Sequence, residues 1–230
     1  MLSTHNLTAF YGDFQALFGI DLEISAGEIV AVIGANGAGK STLLKAITGL
    51  VPAQKDAVHF EGIPIGGQAA YQTLGLGISM VPEGRRLFPS LSVEENLLLG
   101  SYRKRRGPWS LARVYELFPI LGEKRNAPST SLSGGQQQMV AIGRALMANP
   151  KLLICDEMSL GLAPIVIKDI YDAVPAIVSE GITLVIVEQD VGLAMRVSNR
   201  LYCLQEGRVS LSGKSSELTR EQVSRAYFGV

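Results

Sequence analysis

The run Gly34-Ala-Asn-Gly-Ala-Gly39-Lys40-Ser41-Thr42 has the residue types and the spacing that hold a phosphate. Glycines at 34, 37 and 39 let the backbone curl so that its N–H groups, with those of a following helix, face an anion. Lys40 adds a point charge, and Ser41 a hydroxyl suited to magnesium. Asn36 inside the loop and Thr42 after it join the candidate nucleotide contacts. The competing reading is a glycine-rich turn of purely structural use; the complete motif, set after an apolar run and before a helical one, outweighs it.

Two more places suit phosphate chemistry. The apolar run 151–156 delivers Asp156 and Glu157 at its carboxyl end, the edge where open α/β sheets bind ligands. Beside a phosphate loop, Asp156 can hold magnesium through water and Glu157 can orient and deprotonate an attacking water; an isolated Asp-Glu pair would more often be a solvated strand end. Leu132-Ser133-Gly134-Gly135-Gln136 precedes a helix with Met139, Ile142, Ala145 and Leu146 on one face. Ser133 reads as its N-cap, and the glycines bare backbone donors at the positive end of the helix, although alone the segment equally fits a flexible turn.

These groups need a sheet and helices to position them. Strand-type segments are expected at 7–11, 20–24 and 28–34, a helix at 40–50, and a strand at 78–81. Residues 94–148 are dominated by helical patterns broken by Gly107, Pro108, Pro119, Pro128 and Gly134. Runs 151–156 and 182–187 are rich in Ile, Leu and Val, as parallel strands buried on both faces require, with a crossover helix at 164–179. Segments 201–205 and 208–212 and a last helix at 220–227 complete an α/β pattern without repeats or low-complexity linkers.

Composition narrows the function classes. Apolar residues make up 47% and charged residues 18%, which excludes a disordered chain. Lys plus Arg and Asp plus Glu both number 21, so no net charge favours nucleic acid, and no nucleic-acid partner is expected. Cys155 and Cys203 lie in apolar stretches and read as reduced core residues. The start of the chain lacks a signal-peptide pattern, and the charge-free stretch 62–82 holds prolines, glutamines and glycines unsuited to a membrane span. A cytoplasmic chain is expected.

With Leu132-Ser-Gly-Gly-Gln136 falling between the phosphate loop and the Asp-Glu strand, the sequence resembles the ATP-binding cassette family over nearly its whole length. The resemblance implies an α/β P-loop NTPase fold with a mainly parallel sheet core, an N-terminal antiparallel β region and an inserted α-helical subdomain at about 84–148, all within a single ATPase domain of residues 1–230. It implies ATP and Mg2+ as ligands, with Ser41 and Asp156 as metal contacts and Glu157, Lys40 and Gln189 as catalytic residues. It also implies a head-to-tail dimer in which Ser133, Gly134 and Gly135 of one subunit close on the γ-phosphate bound by Lys40 of the other. Tyr11 matches the adenine-stacking aromatic of the family; a core tyrosine is the other reading.

Finer motifs, among them Val81-Pro-Glu83-Gly-Arg85-Arg86-Leu-Phe88-Pro89, Leu91-Ser-Val-Glu-Glu-Asn96-Leu97, Ser159-Leu-Gly-Leu-Ala-Pro164, Val187-Glu-Gln189 and Ala226-Tyr-Phe-Gly229, look like an ATPase subunit of branched-chain amino-acid importers. Urea and amide importers share much of this pattern. The resemblance implies two membrane permease subunits, a second ATPase subunit, identical or related, an external solute-binding protein, and a place on the cytoplasmic face of the inner membrane. The permease contact is expected around residues 85–99, with Phe88 and Leu91 as apolar anchors. The basic run Tyr102-Arg-Lys-Arg-Arg106 reads first as a solvated loop. A soluble ABC ATPase acting outside transport is the competing class.

The sequence departs from the family at several positions. Glu83 stands where most cassettes carry a magnesium- and water-contacting glutamine, and Gln189 where they carry a switch histidine, both as in the importer branch. Met158 replaces the usual proline after Glu157, Ala163 replaces a frequent aspartate, and residues 51–58 lack the usual glycine. The only histidines, His5 and His59, lie far from Gln189 in sequence.

Overall fold

Uninterrupted apolar strings place the central strands. The segments Ile29–Ile33 (β3) and Thr183–Val187 (β8) are buried almost throughout, the pattern of parallel strands covered on both faces. The computed structural model describes residues 1–229, which divide into two units: residues 1–73 together with the chain from Thr183 onward, and residues 74–182.

In the first unit, β3 pairs in parallel with β8 on one side and with β9 (Arg200–Gln205) on the other, while β10 (Arg208–Lys214) runs antiparallel to β9. Helices α9 (Val191–Val197) and α10 (Arg220–Phe228) enclose a core of Ala31, Ile33, Ala194, Leu201, Cys203 and Val223. Burial pushes the pKa of the Cys203 thiol up, in keeping with a reduced core cysteine, and Cys155 is likewise buried and outside any disulfide. A separate antiparallel sheet has the order β2 (Phe14–Ile24), β1 (Leu2–Tyr11), β4 (Val58–Phe60), β5 (Ile63–Pro64). Strand β1 begins five residues before the expected segment at 7–11, because a register shift between Thr4 and Leu7, with Asn6 left-handed at φ 46°, interrupts its alternation. The hydroxyl of Tyr202 on β9 ties this sheet in, accepting from Glu23 N at 3.0 Å and donating to Glu23 O at 3.1 Å.

The second unit pairs β6 (Ile78–Val81) in parallel with β7 (Leu152–Asp156). Around them lie α3 (Val93–Gly100), α4 (Leu111–Leu117), α5 (Pro119–Glu123), α6 (Gly134–Leu146), α7 (Pro164–Asp172) and α8 (Val174–Ser179). The crossover helix expected at 164–179 is broken between α7 and α8, since Pro175 has no N–H to continue the ladder. Residues 102–104 and 106 are exposed, so the basic run is solvated as its composition suggests. No helix among the described residues is long and apolar enough to cross a membrane.

Helix α6 packs on α3 at Gly143, where an added Cβ would lie 2.8 Å from both Leu97 Cδ2 and Val114 Cγ1. Gly143→Val is therefore expected to destabilise the protein by about 1–3 kcal/mol through overpacking, more than the gain of under about 1 kcal/mol from better helix propensity. Denaturant unfolding checks this: the midpoint should fall with an unchanged slope.

Candidate active site

The chain leaves β3 through residues 34–39 and enters α1 (Lys40–Ile47). Gly34, Gly37 and Gly39 have φ of 150°, 82° and 100°. A Cβ on Gly34 would lie 2.3 Å from the carbonyl oxygen of Leu204, and one on Gly39 2.8 Å from Leu17 Cδ2, so neither position accepts a side chain. Gly39 caps α1 without a side-chain hydrogen bond, which leaves the first N–H groups of the helix to other acceptors. Lys40 is 5% exposed, and its Nζ donates to the carbonyls of Gly34 at 2.7 Å and Ala35 at 3.0 Å. Gly207, in the turn joining β9 and β10, braces the loop from behind by donating its N–H to Ala38 O at 3.0 Å.

The partly buried Ser41 and Thr42 follow Lys40 on α1. Tyr11, 47% exposed, places its hydroxyl 3.4 Å from Thr42 Oγ1. Because Val32 pairs with Val187 in the parallel register, the segments leaving β3 and β8 emerge side by side; Gln189 Nε2 thus comes 3.4 Å from Asn36 Oδ1. His5 on β1 and His59 on β4 instead pack on each other, ring centroids 5.5 Å apart.

In the second unit, Asp156 ends β7 and is 2% exposed. Glu157 follows in a left-handed backbone conformation, φ 54°, which for a residue other than glycine stores strain of order 1–3 kcal/mol. Met158 is buried, and Ala163 caps α7 with no side-chain hydrogen bond, where an aspartate could have supplied one.

Ser133 caps α6 in a reciprocal box: Gln136 N donates to Ser133 Oγ at 3.3 Å, and Ser133 N to Gln136 Oε1 at 3.1 Å. Gly134 and Gly135 form the first turn of the helix rather than a loop before it. A Cβ on Gly135 would meet Val166 Cγ1 on α7 at 2.2 Å, so this glycine is required for close packing as well as for bare backbone donors. The exposed Glu83 precedes two left-handed residues, Arg85 at φ 64° and Arg86 at φ 48°. Their carbonyls accept from Arg144 on α6, and Asn96, fully buried on α3, holds both N and O of Phe88. Sequence reasoning did not single out Gly207, Arg144 or the side-chain role of Asn96. The dipeptide Glu206-Gly207 between two strand patterns was a turn signal, but contacts from Arg144 spanning 58 and 59 residues leave no local trace.

Residues 17–159 match the family described as ABC transporter. In an alignment of 232 positions that covers the whole of both chains, the protein is 42% identical to the high-affinity branched-chain amino acid transport ATP-binding protein BraG of Pseudomonas aeruginosa. A solved ATP-binding cassette of an ABC transporter superposes with a TM-score of 0.84 at 31% identity, over 99% of this chain and 98% of that one. A dimeric cassette in a post-hydrolysis state bound to ADP and Pi superposes with a TM-score of 0.83 at 28% identity, over 94% and 99%. With the likeness running from end to end and the phosphate loop built as its sequence requires, this chain belongs to the ABC transporter family as one of its ATP-hydrolysing cassettes.

Proposed function

We propose that this cassette powers a binding-protein-dependent importer of branched-chain amino acids. The observation that carries the solute class is the end-to-end likeness to a branched-chain amino acid transport ATP-binding protein. In this reading two permease subunits hold the cassette on the cytoplasmic face of the inner membrane, a second identical or related cassette completes the dimer, and an external solute-binding protein delivers the cargo. The segment 84–148 is the inserted helical subdomain, and the permease docks around residues 85–99, where Phe88 is 51% exposed.

The residues divide the chemistry as follows. Tyr11 stacks on adenine, and the N–H groups of residues 34–39 and Lys40 bind the phosphates, with Asn36 and Thr42 at the rim. Glu157 takes a proton from the water that attacks the γ-phosphorus, as the bond to the β–γ bridging oxygen breaks and ADP leaves. Ser41 and Asp156 offer hard oxygen donors that suit Mg2+, whose coordination phosphate and water oxygens would complete. When bound, magnesium would neutralise charge on the β- and γ-phosphates. In this reading Glu83, on the loop after β6, serves the metal and the attacking water, and Ser133, Gly134 and Gly135 close on the γ-phosphate held by the partner subunit. Gln189 orients: an amide donates and accepts hydrogen bonds but carries no charge, so this position contributes no histidine protonation step.

Three measurements test this assignment. Lys40→Ala should lower ATP affinity or turnover on the order of 100-fold, because a charge-assisted contact in a shielded site is lost; unchanged ATPase activity would contradict the phosphate-loop assignment. Glu157→Gln keeps shape and removes the base, so it should bind ATP yet hydrolyse it at least about 100-fold more slowly, and gel filtration with ATP should show a stabilised dimer. In vesicles carrying the assembled transporter, uptake of leucine but not urea should follow ATP hydrolysis; urea uptake would move the solute assignment, and hydrolysis indifferent to permease would favour a non-transport ATPase.

A further inference from the structure

Two consecutive left-handed residues other than glycine persist only where their surroundings over-determine them, and the turn at Arg85 and Arg86 is held by named contacts. Arg144, near the end of α6, donates Nη1 to Arg86 O at 2.8 Å and Nη2 to Arg85 O at 2.9 Å, so one planar fork spans two adjacent carbonyls. Its guanidinium carbon also lies 5.9 Å from the centroid of the Phe88 ring. Burial lowers the proton affinity of this arginine, which makes the two carbonyl acceptors the more necessary. Arg85 reaches in the opposite direction, toward the first turn of α6: a Cβ on Gly134 would lie 3.2 Å from Arg85 Nη2, and Arg85 Nη1 is 3.5 Å from Gln137 Oε1, at the outer limit of a hydrogen bond. The same segment is fastened downstream, where Asn96 accepts from Phe88 N at 2.9 Å and donates to Phe88 O at 3.1 Å, and Ser129 Oγ donates to Phe88 O at 2.9 Å.

We propose that Arg144 and Arg85 are positioning residues that join the loop after Glu83 to helix α6, so that the loop and the Ser133-Gly134-Gly135 turn move as one body. This rests on the function proposed above, in which Glu83 serves the nucleotide of its own subunit and the Ser133 turn serves that of the partner. The latch then makes the state of one nucleotide felt at the other, because a displacement of the 83–86 backbone is carried by two short hydrogen bonds into the helix that presents the glycines. Arg86 contributes only its carbonyl; its side chain is exposed and takes no part.

The test uses the assembled transporter. Arg144→Lys keeps the charge but replaces a planar two-pronged donor with a point donor, and Arg85→Ala removes the reverse reach without touching the buried fork. Both variants should bind a fluorescent ATP analogue within about twofold of the parent while kcat falls about three- to tenfold and the Hill coefficient for ATP drops toward one. The double variant should cost less than the product of the two single effects. Unchanged kcat and Hill coefficient in both Arg144→Lys and Arg85→Ala would overturn the proposal. So would a loss of kcat matched by an equal loss of ATP affinity and a lowered melting temperature, which marks a merely structural role. If instead the parent transporter shows no ATP-dependent uptake at all, the functional reading fails, and the latch is then judged on whether the Hill coefficient of ATP hydrolysis by the isolated dimer still depends on Arg144.

Discussion

A lysine ammonium at 5% exposure is a costly thing to bury, and the first unit is arranged around meeting that cost. Lys40 needs carbonyl acceptors, and those of Gly34 and Ala35 reach it only because the chain doubles back after β3. Doubling back requires left-handed backbone at Gly37 and Gly39 and a close pass of Gly34 under the carbonyl of Leu204, so the loop is possible only with β9 already beside β3. The apolar strings in β3, β8 and β9 therefore serve the loop as much as the core. Once their register is set, the backbone donors of the loop and the lysine are fixed in place together, the kind of preorganisation that electrostatic catalysis depends on.

Much of this was legible before any coordinates, and the reasons differ by element. Strand β6 occupies the residues its apolar run indicated, and α6 starts at the cap that Ser133 announces, because both signals are local. Helix α2 (Ala70–Leu76) was not anticipated: it buries only Thr73 and so carries no apolar stripe. The early part of β1 was missed because its bulge breaks the alternation on which strand recognition relies. At the site, the phosphate-loop residues and the Asp156-Glu157 pair could be named from residue type and spacing, whereas Tyr11, Glu83 and Gln189 came only through the family resemblance; the approach of Gln189 to Asn36 follows from two parallel strands ending at one edge. The contacts of Arg144 and Asn96 could not be named, since a polar side chain on a helix does not announce a distant carbonyl as its partner.

The two glycines at the start of α6 show how one residue type can answer two demands. Gly135 lets the helix lie against Val166 on α7, a packing requirement that would hold without any ligand. Gly134 leaves room for the Arg85 guanidinium. The bare N–H groups useful to a phosphate are thus a by-product of close packing as much as a device for binding, and substitution there disturbs both.

Helix α7 begins seven residues after Glu157, behind an alanine cap that offers no side-chain acceptor, and Ile165 in its first turn is 65% exposed. The turn is held by main chain instead: Val166 N and Ile167 N both donate to Ala163 O, at 2.9 and 3.1 Å. With no polar side chain in the cap, the start of α7 has nothing there to titrate or to be drawn away by a ligand, and its position follows the apolar contact of Val166 with Gly135.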